Sequence, residues 1–409
     1  MKHFVRRLLL VAFALSFVTT AVSAQDIAPP VPQKLVVHSA ILNEDRVIWV
    51  RTPADYEHGQ NRFPVLYITD APGPINEIGA VIDFLVDNGE MPPLIVVGIA
   101  NTDRVRDLTP THADVKHSDG TVERYPTSGG ADRFLDFIQT ELMPEIDRRY
   151  RTEPCRIFTG HSLGGLLAVH ILVNHPEMFQ GYIASSPSLW WDDQHTLHQA
   201  QAFFAAHAEL KKTLFFSLGN EGGDMIAGFE QLQKTLAGKS NKNFRWDSAH
   251  YLDETHSSTE LRAHYAGLRM VFADWQTPVN PADELPVGGL EGVEKHYREL
   301  SERFGYQIPL PEAEVNRLGY RLMGSKRLDE AIAAFQRNAQ LYPGSANVYD
   351  SLADGYESDG KLDLALQNCE KAVEVGTKTS DPHLDAFKKH LKQVTDKAKA
   401  AGAKTAGQN

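Results

Sequence analysis

The stretch Cys155 to His175 reads CRIFTGHSLGGLLAVHILVNH and constrains the fold more than any other part of the chain. A short apolar strand over Arg156 to Thr159 runs into Gly160-His161-Ser162-Leu163-Gly164-Gly165, and an apolar helical run from Leu166 to Val173 follows without a break. The order strand, G-x-S-x-G, helix predicts a serine at the tip of a sharp and strained turn. The glycines two residues to either side of it lack the Cβ atoms that would strike the adjoining strand and helix. Such a turn exposes the Ser162 hydroxyl at the carboxyl edge of a sheet. The helix starting just beyond it aims free backbone N–H groups at the same spot, where a developing oxyanion is stabilised. The competing reading is a glycine-rich turn with an incidental serine, and the two correct flanks favour the nucleophile.

The rest of the chain supplies the sheet that such a turn needs. Strand-like runs occur at Lys34 to Ile41, Asp45 to Thr52, Phe63 to Thr69 (FPVLYIT) and Leu94 to Ile99 (LIVVGI). Beyond Ser162 they recur at Gln180 to Ala184, Thr213 to Leu218 (TLFFSL) and Phe244 to Leu252. Helical patterns cover Ile75 to Asn88 and Ala131 to Tyr150, and a further helix ends near Trp275. Continuous apolar strands alternating with helices predict an α/β domain with a mostly parallel sheet covered on both faces, and with its site in the loops at the carboxyl ends of the strands. Asn101 to Gly130 is polar and irregular, and too long for a plain connection.

At 409 residues the chain is long for one domain. Thr277 to Gly289 (TPVNPADELPVGG) reads as a linker, and the character then changes to helices with a repeat. Leu318, Ala331 and Phe335 are followed 34 residues later by Leu352, Ala365 and Cys369, a helix-turn-helix period that resembles the tetratricopeptide repeat. Gly319 and Pro343, then Tyr349, Tyr356, Gly360 and Ala372, stand at further positions of that pattern. Leu290 to Gly305 is expected to be a third, degenerate pair or half of one. Two clear units are fewer than independent stability needs, so the all-α region is expected to dock on the α/β domain or on a partner chain.

These boundaries divide the chain into a leader (1–24), an α/β domain (32–276), a linker (277–289), a repeat domain (290–397) and a disordered, low-complexity tail (398–409). The leader has Lys2, Arg6 and Arg7 before an apolar run from Leu8 to Val18, and it closes on Val22-Ser23-Ala24. This is the pattern of a cleaved export signal, and it predicts a periplasmic or secreted protein. The net charge of −12 becomes three units more negative without the leader, which argues against nucleic acid as a partner. No later run is long enough for a membrane span. The chain's two cysteines, Cys155 and Cys369, each fall where packing accounts for them. No H-E-x-x-H, paired C-x-x-C or EF-hand pattern is present, so neither a metal nor another cofactor is expected.

A serine nucleophile needs an imidazole to take its proton and a carboxylate to orient that imidazole. With the order serine, acid, histidine, the acid falls just after a strand beyond Ser162. Glu221 fits best, with Asp224 in the same loop as the alternative. His256, on the loop after the last strand, is the histidine; His250 lies within the strand pattern and His264 within the helix. His161 is expected to be a packing residue with its side chain turned away from the site. The oxyanion donors are the backbone of Leu163 and of Ala71, the latter in the loop after FPVLYIT.

GHSLGGLLA, SPSLWW, VGIANTDRVRDLTP and the GNE and ETHSS stations together resemble the esterase branch of the α/β-hydrolases. That branch includes enterochelin-type siderophore esterases, S-formylglutathione hydrolases, feruloyl esterases and mycolyltransferases, and SPSLWW is most like the siderophore-esterase subgroup. The resemblance spans Pro32 to Trp275. It implies an α/β-hydrolase fold, a triad of Ser162, Glu221 and His256, and a pocket near Arg104, Arg106 and Trp190. The implied activity is exported serine carboxylic-ester hydrolysis through an acyl-enzyme on a small ester, with siderophore lactones favoured. Acyl transfer by the same residues is one rival. A non-catalytic interaction module acting on a protein partner or a second copy through the repeats is the other. Trp190 and Trp191 would stack on an aromatic acyl group unless one of them is core. Arg104 and Arg106 would attract an anion unless Asp103 and Asp107 hold them in ion pairs.

Overall fold

The computed structural model describes residues 30–54, 56–116, 121–207, 209–241 and 243–406, so the expected export leader lies outside the described residues. The strands are β1 (Gln33–Ser39), β2 (Glu44–Arg51), β3 (Phe63–Ala71), β4 (Ile95–Ala100), β5 (Val115–Lys116), β6 (Val122–Glu123), β7 (Thr152–His161), β8 (Gly181–Ser185), β9 (Lys212–Leu218) and β10 (Phe244–His250). Eight of them form one sheet in the order β1-β2-β4-β3-β7-β8-β9-β10, with β5 and β6 as a separate two-stranded ribbon. The pairs β1–β2 and β2–β4 are antiparallel, and every pair from β4 through β10 is parallel. This is the mostly parallel α/β architecture expected from the sequence.

Alternation along the central strands divides their side chains between two cores. Val65 and Tyr67 of β3 and Phe158 of β7 face one core, while Leu66 and Ile68 of β3 and Cys155 and Ile157 of β7 face the other. The first core is covered by α3 (Ala131–Phe137), which continues through a π-helical turn (Ile138–Leu142) into α4 (Met143–Arg149), and by α5 (Leu163–Asn174), α6 (Trp191–Ala206) and α7 (Gly223–Leu236). The second is covered by α1 (Ile75–Asp87) and α8 (Thr259–Val271). α5 is buried on all sides from Leu163 to Val173, as its unbroken apolar sequence requires.

The irregular segment after β4 is held by charge. It contains the short helix α2 (Arg104–Leu108) and the β5–β6 ribbon. Asp107 lies between Arg46 Nη1 at 2.6 Å and Arg106 Nε at 2.7 Å, and Asp107 and Arg46 are both fully buried. Glu44 closes the network onto both arginines. Removing one member of a buried pair strands the other charge. Asp107→Ala is therefore expected to lower unfolding stability by about 3–5 kcal/mol, measured by urea denaturation. A loss within the error of that measurement would show that Glu44 alone satisfies Arg46.

Beyond α8 come α9 (Gly289–Phe304), α10 (Glu312–Gly324), α11 (Leu328–Leu341), α12 (Ala346–Ser358), α13 (Leu362–Thr379) and α14 (Leu384–Ala406). α10/α11 and α12/α13 are two consecutive helix pairs over the residues that carry the 34-residue period, and α9 is a single helix in the stretch from Leu290 to Gly305. The pairs approach closely at Gly319, where a Cβ would stand 2.3 Å from the Phe335 ring. Cys369 is fully buried in the same core as Phe335, and both cysteines are free. α9 joins the two regions. Its Val293 enters the repeat core, while Leu300 and Phe304 enter the α1/α8 core, where Phe304 stacks on Phe272 at 5.3 Å. Arg303 adds hydrogen bonds to the carbonyls of Val271 and Ala273 at the end of α8. The tail expected to be disordered from Ala398 instead continues α14 to Ala406, in keeping with its alanine- and lysine-rich sequence. Among the described residues no helix is long and apolar enough to cross a membrane.

Candidate active site

Strand order reverses direction between β3 and β7, and the crevice at the carboxyl ends of such a pair is where open α/β sheets place their sites. Ser162 stands there, between the end of β7 and the start of α5, with φ 59° and ψ −114°. A positive φ is costly for a side chain with a Cβ and is kept only where the surroundings enforce it. Here they do. A Cβ on Gly160 would sit 2.5 Å from the Gly164 backbone, and one on Gly164 would sit 2.5 Å from Thr69 Oγ1. The Ser162 amide donates to Ser185 O at 3.0 Å, and its carbonyl accepts from Leu166 and Ser188. Its Oγ lies 3.2 Å from Ser188 Oγ. Leu163 is the first residue of α5, where a backbone N–H has no intrahelical acceptor. Ala71 ends β3, the strand beside β7, and is buried.

Glu221 follows β9 and His256 follows β10. The structure brings them together, with His256 Nδ1 2.5 Å from Glu221 Oε2. The other carboxylate oxygen accepts from Ser186 Oγ at 2.6 Å and from the Gly219 amide at 3.2 Å. Burial alone would raise the Glu221 carboxyl, but the hydrogen bonds from His256, Ser186 and the Gly219 amide outweigh it and hold it below the usual carboxylate range. A carboxylate accepts at Nδ1, so that nitrogen carries the proton and Nε2 is left with its lone pair. Asp224, the alternative acid, is exposed in the first turn of α7. His264 is fully buried against Glu77, and His250 is exposed at the end of β10.

His161 departs from expectation. Its side chain turns toward the site, its Nε2 donates to the backbone carbonyl of His256 at 2.7 Å, and the two rings lie 4.5 Å apart. The reason is parity. His161 shares the odd-numbered face of β7 with Cys155 and Ile157, the face on which α8 packs, and the loop leading into α8 carries His256. Burial, together with the nearby Arg104 charge, holds the His161 imidazole below its ordinary value, so it is neutral near pH 7.

Arg104 was expected to face an anionic substrate or to pair with a neighbouring aspartate. It pairs with Asp70 at 2.6 Å and donates to the His161 carbonyl at 3.2 Å, which ties the loop after β4 to the turn carrying Ser162. Arg106 belongs to the Glu44–Asp107 network. Trp191 is core, with Nε1 on Thr111 and its ring 5.2 Å from Tyr125. Trp190 is half-buried, with Nε1 3.1 Å from Met225 Sδ. Ser186 and Ser188 went unassigned in the sequence, although a serine-rich turn directly after a strand at this sheet edge was the available signal.

Residues 39–265 match the sequence profile of the family described as "Putative esterase". The chain belongs to that esterase family. The chain is 36% identical over 160 residues to the ferri-bacillibactin esterase BesA of Bacillus subtilis, a match covering 34% of this chain and 53% of that protein. It is 48% identical over 178 residues to the siderophore triacetylfusarinine C esterase of Aspergillus fumigatus, covering 36% and 60%. The chain thus spans little more than half the length of these curated relatives. Its fold is similar to that of an IroE-like serine hydrolase from Shewanella oneidensis, with a TM-score of 0.66 and 27% identity over 76% of this chain and 98% of the other.

Proposed function

We propose that this chain is an exported serine esterase that cleaves carboxylic esters through an acyl-enzyme, with siderophore-type esters as its substrates. The reading is carried by the 2.5 Å contact between His256 Nδ1 and Glu221, on the same edge of the sheet as a serine held at φ 59°. The relatives named as siderophore esterases support the substrate class. The leader pattern supports export to the periplasm or medium.

In this mechanism Ser162 Oγ turns from Ser188 toward His256 Nε2, gives up its proton there and bonds to the ester carbonyl carbon. Catalytic hydrogen bonds are commonly long before substrate binds and tighten in the complex. Backbone N–H groups of Leu163 and Ala71 stabilise the oxyanion. Collapse expels the alcohol, which takes the proton from His256. Water then repeats the sequence and releases the acid. Glu221 keeps the proton on Nδ1 and stabilises the transient imidazolium. Trp190 offers an aromatic face to the acyl group. Arg104, balanced by Asp70, frames the turn.

A fluorophosphonate probe tests this directly. Covalent mass is expected on the Ser162 peptide and is expected to be lost in His256→Ala. A folded protein that stays unlabelled, or that carries the label elsewhere, would overturn the assignment.

A further inference from the structure

The repeat region holds a group of side chains with no part in ester cleavage. Asp350 on α12, Cys369 on α13 and His390 on α14 each present one metal-ligand atom, and these atoms all lie within 4.8 Å of one another. We propose that Asp350, Cys369 and His390 bind a zinc-class transition-metal ion that locks α14 onto the last helix pair.

The donor set points to the ion. A thiolate, an imidazole and a carboxylate suit Zn2+, whereas Mg2+ and Ca2+ take oxygen ligands. Ligand atoms around one tetrahedral Zn2+ stand roughly 3–4 Å apart; here His390 Nδ1 and Asp350 Oδ1 are 2.7 Å apart and every pair lies within 4.8 Å, so a small adjustment seats the ion. Cys369 is fully buried at the position where the preceding unit has Phe335.

The surroundings of His390 supply the independent observation. Its other nitrogen, Nε2, is buried and makes no hydrogen bond, yet it faces Asp354 Oδ1 at 3.4 Å and Glu357 Oε2 at 3.5 Å. A metal-bound imidazole donates its remote N–H to such a carboxylate. Both carboxylates are themselves anchored, Asp354 by the Tyr320 hydroxyl at 2.8 Å and Glu357 by Lys397. The arrangement is an inner set of ligands with an outer set already in place. Asp350 and His390 keep 23% and 13% of their side chains exposed, which leaves a path for the ion and for a completing water.

Binding is proton-balanced. His390 begins as an imidazolium among Asp350, Asp354 and Glu357; on binding, the Cys369 thiol proton and the His390 Nδ1 proton leave for solvent, giving thiolate, neutral imidazole still protonated at Nε2, and carboxylate. The ion then ties three helices in a stack with only two clear pairs, where terminal units need a cap.

The test uses the full chain freed of metal by chelation and titrated with Co2+. The expected result is one equivalent bound with tetrahedral visible bands and a thiolate charge-transfer band, all removed by Zn2+. Cys369→Ser should abolish the charge-transfer band, and Asp354→Asn, which leaves the core intact, should weaken affinity about 10–100-fold. Absence of saturable uptake by the wild-type chain would overturn the proposal, as would uptake without a thiolate band. So would uptake retained in Cys369→Ser but lost in His175→Ala, since that would place the metal in the Asp132–His170–His175 group near the end of α5.

Discussion

Ser162→Ala is expected to reduce kcat on a short p-nitrophenyl ester by roughly 10⁶-fold, the scale on which loss of the nucleophile acts in a serine protease. What survives is transition-state binding by the backbone N–H groups, which do not depend on the hydroxyl. The fold should not suffer, because among the described residues Ser162 Oγ has only Ser188 Oγ to lose, while the turn is held by main-chain bonds to Ser185, Leu166 and Ser188. Steady-state kinetics beside a thermal melt separate the two effects. A folded variant keeping wild-type kcat would exclude the serine mechanism.

Glu221→Gln is expected to lower kcat by about 10⁴-fold, as the equivalent carboxylate-to-amide change does in a serine protease triad. The geometry says why. Ser186 Oγ and the Gly219 amide both require an acceptor where Glu221 Oε1 stands, so the amide NH2 must face His256 Nδ1. An N–H donor there forces the proton onto Nε2, and the imidazole can no longer accept from Ser162. Asp224→Asn should leave kcat unchanged. Equal losses in the two variants would reject Glu221 as the orienting acid. The carboxyl of Glu221 is held below its ordinary value of 4.5, so its contribution to stability is complete above that value and is lost as pH falls through the lowered one. A stability profile of Glu221→Gln should therefore converge on wild type at low pH.

The strands were legible because each is a run of apolar residues too continuous for a half-exposed sheet. FPVLYIT and LIVVGI both prove buried at every position. The Ser162 turn was legible because its glycines answer a local steric demand. That Glu221 and His256 would meet was legible because each follows a strand, and loops after parallel strands share one edge. The placement of His161 was also available, from its odd-numbered parity with Cys155 and Ile157, but using it required knowing which helix covers that face. Ser186 showed no periodicity of its own. Its role exists only because β8 and β9 are neighbours and set its hydroxyl beside the Glu221 carboxylate.

Local steric and hydrophobic demands are written residue by residue, and these settled the α/β class, the strained serine turn and the 34-residue helical period from the chain alone. Pairings between distant charges are not local. Asp70 rather than Asp103 neutralises Arg104, Glu44 joins Asp107 on Arg106, and α9 carries Phe304 to Phe272. Asp350, Cys369 and His390 likewise meet only because three helices pack side by side. A carboxylate or thiol carries no mark of its partner in sequence, because Coulomb and ligand interactions act through a few ångströms of space, and only the packed structure decides which residues share it.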